Sequence, residues 1–481
     1  MSFSFRTLRT ALLALLLAVV PVAGVVQAQS QLAGLTAQDK AQGSQAHPAI
    51  VQEFGGKIDG PLADYVRRVG LKVALAASPG SRPQDWTITV LDSPVPNAMA
   101  TPGGYLYITR GLLGMINSEA ELASVLGHEA GHVAARHTDK RNSRATIAGI
   151  GSILAGVLLG GDAGQIANTV GSGYVAGYSR SQEHEADQLG LRYAAAAGYD
   201  PTAAARMLAA LERVSEVEGR QSMERGGLQS IFASHPVTRE RINRVSRMAE
   251  QMKVRGADNS SAYLSAIDGM AWGDSVDQGM VSGRSFRHAT LQLGFDAPAG
   301  FQLQNSPQAV IGVGPNGAQF RFQGAQVRPG DSLENIVSTA WSQLLQGSRP
   351  QVSFTERQVN RLDSVQTSAR GRSGRTLVDM GITAYRFAPD TVYLFTTVAP
   401  AGQSAIFQPL LDSMRRLDTK EVSAAGKGRH IDVVTVTRGD TLASLAARQS
   451  PPYNRVESLA ALNGITDGKV TPGDRIKLIV G

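Results

Sequence analysis

Apolar and polar positions divide the chain into stretches of different period. From His47 to about Glu250, apolar residues recur mostly at helical spacing, as at Leu122, Val125, Leu126 and Val133. Two runs break that pattern. Trp86-Thr87-Ile88-Thr89-Val90-Leu91 and Gly104-Tyr105-Leu106-Tyr107-Ile108-Thr109 mix apolar and polar side chains at period two and predict strands. Helices around a small sheet make residues 29–253 an α+β domain, entered by a loose Gln-, Ala- and Gly-rich arm. Residues 254–284, rich in Gly, Ser and Asp, read as a linker or short peripheral helices. Residues 285–420 read as a second α+β domain. Its strands are expected at 288–294, 309–313, 318–323 and 391–398, and its helices at 332–346 and 404–416. It carries no catalytic constellation. A short linker at 421–430 leads to a small β-α-α-β module at 431–481.

The first 28 residues follow another logic. Arg6 and Arg9 precede an almost wholly apolar run over 11–20, and small residues lead to Val26-Gln27-Ala28. That is the layout of a secretory signal peptide cleaved after Ala28, and the run is shorter than the about 20 residues of a membrane span. The expectation is an exported, periplasmic protein. A composition of 42% hydrophobic and 18% charged residues supplies several cores. The formal charge of +7 is spread along the chain with no basic run or aromatic–basic motif, which argues against a nucleic-acid partner. The chain has no cysteine, so thiolate ligands, a cysteine nucleophile and a lipidated N-terminal cysteine are excluded. Any metal must be held by His, Asp and Glu.

That restriction directs attention to one helix. Ser118-Glu119-Ala120-Glu121 has the form of a capping box, and His128, Glu129 and His132 follow inside the amphipathic pattern. Residues four apart share a helix face, so His128 and His132 can both reach one Zn²⁺. Glu129 lies beside the metal position, where it can take a proton from the attacking water and deliver it to the leaving amine. His137 is nine residues past His128 and falls on the opposite side of a continued helix, which makes it a structural or supporting residue rather than a ligand. Glu183 could complete the ligand set, because Glu183 and Asp187 share a face of a second helix. Asp187 could then orient a ligand histidine. His184 and Glu185 point elsewhere on that helix and read as a solvated face. The apolar stretch 147–159 is too short to span a bilayer and reads as a buried or cleft-covering hairpin with possible peripheral membrane contact.

Four runs occur in order: Asn97-Ala98-Met99-Ala100-Thr101-Pro102-Gly103-Gly104-Tyr105, Thr109-Arg110-Gly111-Leu112-Leu113, the His-Glu-x-x-His helix ending in Arg136-His137, and Glu183-x-x-x-Asp187. Together they resemble the gluzincin metallopeptidases of the HtpX, BepA and CAAX prenyl endopeptidase family, over roughly residues 45–250. The resemblance implies one zinc per chain held by His128, His132 and Glu183, with Glu129 as catalytic base and Asp187 behind the ligands. It also implies a role for His235 in Ser234-His235-Pro236. In BepA-like members the matching histidine can occupy the open metal position; otherwise it could donate to the tetrahedral intermediate. The strand at 97–109 could pair with an extended polypeptide substrate, with Asn97 either positioning that substrate or shaping a turn. The implied role is protein quality control in the cell envelope. The alternative is an envelope chaperone or scaffold with a closed site.

The last module has Val434-Thr435-Val436-Thr437-Arg438-Gly439-Asp440-Thr441-Leu442, then Leu462-Asn463-Gly464, then Pro472-Gly473-Asp474-Arg475-Ile476. It resembles a LysM module, which implies binding to peptidoglycan. Contacts are expected from Gly439, Asp440, Thr441 and Leu442, and from the loop at 463–466. BepA-like relatives carry helical repeats at this end instead.

Overall fold

The computed structural model describes residues 35–137, 178–222, 235–306, 308–345, 350–373 and 376–481. The expected signal peptide at 1–28 and the apolar stretch 147–159 lie outside the described residues. The architecture is α+β. No described helix is long and apolar enough to cross a membrane.

Helix α1 (Ala37–Glu53) opens the fold with Thr36 and Asp39 capping one another. After β1 (Lys57–Ile58), the amphipathic α2 (Pro61–Ala77) turns Val66, Val69 and Val73 inward. A four-stranded sheet follows, built from β1, β2 (Thr87–Leu91), β3 (Ala98–Thr101) and β4 (Tyr105–Thr109) in the order β1-β2-β4-β3. β2 and β4 are parallel, and β3 pairs antiparallel with β4 at the free edge. The sheet backs α3 (Arg110–Met115) and α4 (Glu119–Ala134), the helix that carries the His-Glu-x-x-His run. Ser118 caps α4 by accepting from Glu121 N. The expected reciprocal bond is shifted by one residue, because Glu121 Oε2 accepts from Asn117 N at 2.8 Å.

Three helices complete this half: α5 (Arg180–Ala196), α6 (Ala203–Ser222) and α7 (Arg239–Gln251). α4 and α5 cross closely because glycines face one another. A Cβ on Gly190 would stand 2.8 Å from the backbone nitrogen of His128, and one on Gly131 would stand 3.2 Å from Ala186 O. This crossing brings Glu183 to the two histidines.

Residues 254–284, expected as a linker, are built into the domain. They form α8 (Ser260–Ile267), β5 (Ala271–Trp272) and β6 (Met280–Ser282). Tyr263 and Ile267 are fully buried, and Tyr263 Oη donates to Leu113 O. The glycines of this stretch lie between its elements while the intervening apolar residues fill the core.

The next unit holds β7 (Ser285–His288) and β8 (Leu293–Asp296), then a seven-stranded antiparallel sheet. That sheet is formed by β9 (Gln302–Asn305), β10 (Val310–Val313), β11 (Gln319–Gln326), β12 (Thr355–Val359), β13 (Leu362–Ser373), β14 (Thr376–Ala388) and β15 (Thr391–Pro400). α9 (Leu333–Leu344) packs Val337 and Trp341 on one face. A cluster of Phe295, Phe320, Phe322 and Phe395 with the short α10 (Gln408–Ser413) fills the other. The 421–430 segment begins inside α11 (Thr419–Ala425), capped by Asp418.

The last unit is β17 (Arg429–Thr435), α12 (Leu442–Ala446), α13 (Val456–Asn463) and β18 (Arg475–Val480), following β16 (Arg415–Arg416). β17 pairs with β18 and, on its other edge, with β5 of the first domain.

Candidate metal centre

The two histidines four apart on α4 present their Nε2 atoms to a common point, 3.1 Å from each other. Glu183, in the first turn of α5, places its carboxylate 3.4 Å from His132 Nε2 and 3.6 Å from His128 Nε2. Atoms bound about 2.0–2.1 Å from one tetrahedral zinc stand about 3.3–3.4 Å apart, so this spacing fits a shared metal. The donor set of two imidazoles and a carboxylate suits Zn²⁺ equally well. A fourth donor is present: His235 Nδ1 lies 2.9 Å from Glu183 Oε1 and 3.2 Å from His128 Nε2. The candidate ligand atoms of His128, His132, Glu183 and His235 all fall within 4.8 Å of one another.

The outer partners fix which nitrogen faces the centre. His128 Nδ1 is 3.1 Å from Asp187 Oδ1, and donating there leaves Nε2 with its lone pair inward. His132 is held by a two-step chain: its Nδ1 is 2.9 Å from His137 Nδ1, and His137 Nε2 is 3.1 Å from Glu185 Oε2. His137 is thus a supporting residue, fully buried behind a ligand position. It gets there because Arg136 adopts a left-handed conformation at φ 52° and bends the chain back, held by ion pairs from Asp39 of α1. Glu185 lies on the solvated face expected of it, and from there its carboxylate also reaches His137. Tyr178 stacks on the His132 ring with centroids 3.7 Å apart.

Sequence reasoning missed Arg241. From α7 it forks onto Asp187, with Nε at 2.9 Å from Oδ2 and Nη2 at 2.6 Å from Oδ1, and its Nη1 reaches Glu183 at 2.7 Å. Arg244 adds a contact to Asp187 at 3.2 Å. The sequence carried no signal for it: an arginine three residues after the helix cap Thr238 reads as surface, and only the structure shows it buried beside two carboxylates that require a cation.

Electrostatics separate the acidic groups. Burial alone would raise the Glu183 pKa, but the His128 charge and bonds to His132 and His235 hold it far below the ordinary carboxylate range. Asp187 is likewise held down against burial by His128 and Arg241. Glu129 goes the other way, pushed up by burial more than His235 and His128 pull it down. Its Oε1 is 3.6 Å from His235 Nε2, and its Oε2 is buried with no hydrogen-bond partner among the described residues. One acid is fixed as an anion and a neighbour is readier to take a proton, which is what a ligand and a general base require.

A small, partly open cleft adjoins the centre. His128, Glu129, Asp187 and His235 line one side, and Leu191, Met207, Leu208 and Leu211 the apolar remainder. Ala98, at the start of edge strand β3, also lines it. Asn97 next to it is buried. Its N–H donates to Thr109 Oγ1 and its carbonyl accepts from Thr109 N, which shapes the chain reversal, while Oδ1 has no hydrogen-bond partner among the described residues.

The C-terminal unit lies away from this centre. Gly439 is exposed at φ 96°, Asp440 accepts from Thr437, and Thr441 caps α12. Leu442, expected among glycan contacts, is corrected: its side chain is buried in the module's own core with Leu445 and Leu459.

Comparison with known proteins agrees with this layout. Residues 62–249 match the model of peptidase family M48, and residues 434–478 match the LysM domain. The mitochondrial metalloendopeptidase OMA1 of Schizosaccharomyces pombe is 30% identical over 229 residues, 47% of this chain and 65% of that protein. The putative beta-barrel assembly-enhancing protease of Vibrio cholerae is 35% identical over 155 residues, 30% of this chain and 32% of that protein. The beta-barrel assembly-enhancing protease of Yersinia pestis is 27% identical over 216 residues, 43% of this chain and 42% of that protein. The chain thus spans from about a third to just under two thirds of these relatives' own length. The chain carries a peptidase M48 domain at residues 62–249 and a LysM domain at residues 434–478.

Proposed function

We propose that the protein is an exported zinc metalloendopeptidase that hydrolyses polypeptides of the cell envelope in protein quality control. The observation that carries the reading is the convergence of His128, His132 and Glu183, spaced as edges of one tetrahedron, with Glu129 beside them. The relatives named as beta-barrel assembly-enhancing proteases support the envelope setting. Cleavage after Ala28 and residence in the periplasm rest on the N-terminal pattern. Peptidoglycan binding rests on the LysM match and the exposed Gly439–Thr441 loop.

In this reading His128, His132 and Glu183 hold the zinc. A zinc ion in such a site acidifies water and polarises the carbonyl to be cleaved. Glu129 accepts the proton of the attacking water on its carboxylate and passes it to the departing amine. Asp187 and the His137–Glu185 pair keep the two imidazoles in the tautomer that faces the centre. Edge strand β3 offers unpaired main-chain groups to an extended substrate, and Asn97 sits where it can fix one of them.

A second reading is favoured by one contact. His235 Nδ1 stands at the fourth vertex, 3.2 Å from His128 Nε2 and 2.9 Å from Glu183, where substrate or water would enter. The enzyme is then held shut by its own histidine until that residue withdraws. Cleavage of casein by the wild type, by Glu129→Gln and by His235→Ala tests both readings. The peptidase reading expects cleavage abolished in Glu129→Gln. The self-closed reading expects a gain in His235→Ala. Cleavage by Glu129→Gln at the wild-type rate would overturn the first, and a loss of cleavage in His235→Ala the second.

A further inference from the structure

The two faces of β18 are both buried, which a freestanding module would not require. Ile476 and Leu478 face the module's own core with Val436, Leu445 and Leu459. The alternate positions face the peptidase domain. Ile479 joins Ile431, Ala461 and Leu462 in the peptidase core itself. Arg475 Nη1 donates to Ser261 O at 2.8 Å and to Ser265 Oγ at 2.7 Å. Lys477 has no exposed surface at all. Its Nζ donates to Gly114 O and Ile116 O, both at 2.8 Å.

Those two carbonyls sit at the C-terminal end of α3, where helix carbonyls lack internal partners. They belong to the turn that leads into α4. Glu121, in the first turn of α4, attracts Lys477 electrostatically and accepts from Asn117 N in the same turn. The strand edge is joined as well: Gly269 N donates to Ile431 O at 2.8 Å, and Ile431 N to Met270 O at 2.9 Å. Trp272 closes the seam, packed against Tyr453 of the module and against Gly114, where a Cβ would meet the indole at 2.4 Å.

We propose that the C-terminal module has a second function, independent of any glycan: it is fixed to the peptidase domain as a brace, with Lys477 pinning the α3–α4 turn from which the His-Glu-x-x-His helix starts. Glu121 lies seven residues before His128, two helical turns away on the same face, so the pinned turn sets where that helix begins. The module's exposed loop at 438–441 therefore stands at a fixed position relative to the cleft rather than on a tether.

Hydrogen exchange on the full chain tests this. In the wild type, the amides of 269–272 and 429–435 are expected to exchange as slowly as those of the helix 119–134. Lys477→Met keeps the unbranched stem up to the ε position and removes the ammonium with its charge and donors. It is expected to speed exchange across 114–122 at least tenfold while leaving 442–446, inside the module's own core, unchanged. Lys469→Met, at an exposed site of the same module, is expected to change neither. Fast exchange at 269–272 and 429–435 in the wild type would overturn the brace. So would wild-type rates across 114–122 in a Lys477→Met protein that retains its fold. If Lys477→Met does not fold, the wild-type comparison alone decides.

Discussion

Arg241 offers the sharpest test of how the centre is held together. Replacing it with Met keeps much of the volume and removes three charge-assisted contacts, two on Asp187 and one on Glu183. Both carboxylates are about 5% exposed, so water cannot replace the lost cation. Removing one partner of a buried pair costs about 3–5 kcal/mol. Arg244 remains 3.2 Å from Asp187 and offsets part of this, which places the expected loss near the lower end, about 3 kcal/mol. With a urea slope of about 1–3 kcal/mol per molar, the midpoint falls by about 1 M or more. The assay is urea unfolding followed by Trp86 and Trp272 fluorescence in a Trp341→Phe background, because Trp341 reports on the other unit. EDTA-treated protein is expected to show the full loss. Saturating zinc is expected to shrink it, because the metal supplies positive charge beside Glu183 and binding to the folded state stabilises by mass action. Arg241→Lys restores the charge without the fork and should fall between. An EDTA-treated Arg241→Met protein with the wild-type midpoint would refute the reasoning.

Other outcomes follow from the same structure. Gly190→Ala places a methyl 2.8 Å from the His128 backbone. It is expected to cost about 1–3 kcal/mol and to weaken zinc retention against a chelator by separating α4 from α5; unchanged zinc affinity would count against the glycine crossing. His137→Ala removes the partner of His132 Nδ1 and is expected to lower zinc affinity about 10–100-fold with little change in fold, as read by competition with a fluorescent chelator. Glu119 accepts from Tyr65 Oη at 2.5 Å and Tyr199 Oη at 2.8 Å. Burial would raise its pKa, but these donors and Asn259 bring it below the ordinary value of 4.5. A lowered carboxylate stabilises the fold above its unfolded pKa, and that contribution is lost as pH falls through the folded value. Glu119→Gln should therefore flatten the loss of thermal stability below about pH 4.5; an identical acid limb would contradict the assignment.

The sequence showed the centre because its chemistry is compressed into short spacings. His128 and His132 announce themselves by their four-residue separation, and Glu183 with Asp187 by another. Arg241 was silent because an arginine in an amphipathic helix looks like surface until its partners are known. Glu185 was hidden because its partner, His137, is reached only through the left-handed turn at Arg136. In the second unit, β10, β11, β15 and α9 coincide with the expected stretches. The longest strands, β13 and β14, went unseen: Asp363, Gln366, Arg370 and Arg372 dilute the alternation, and what holds them is pairing with neighbours distant in sequence. The docking of β18 was not legible, because Arg475 and Lys477 alternating with Ile476 and Leu478 read as a solvated face, whereas the structure buries Lys477 against Gly114 O and Ile116 O.

Metal analysis of purified protein tests the central assignment most directly. The account predicts about one zinc per chain in the wild type and in Glu129→Gln, and loss of that zinc in Glu183→Ala. A wild-type protein that binds no zinc, or a Glu183→Ala protein that retains it undiminished, would contradict the centre described here.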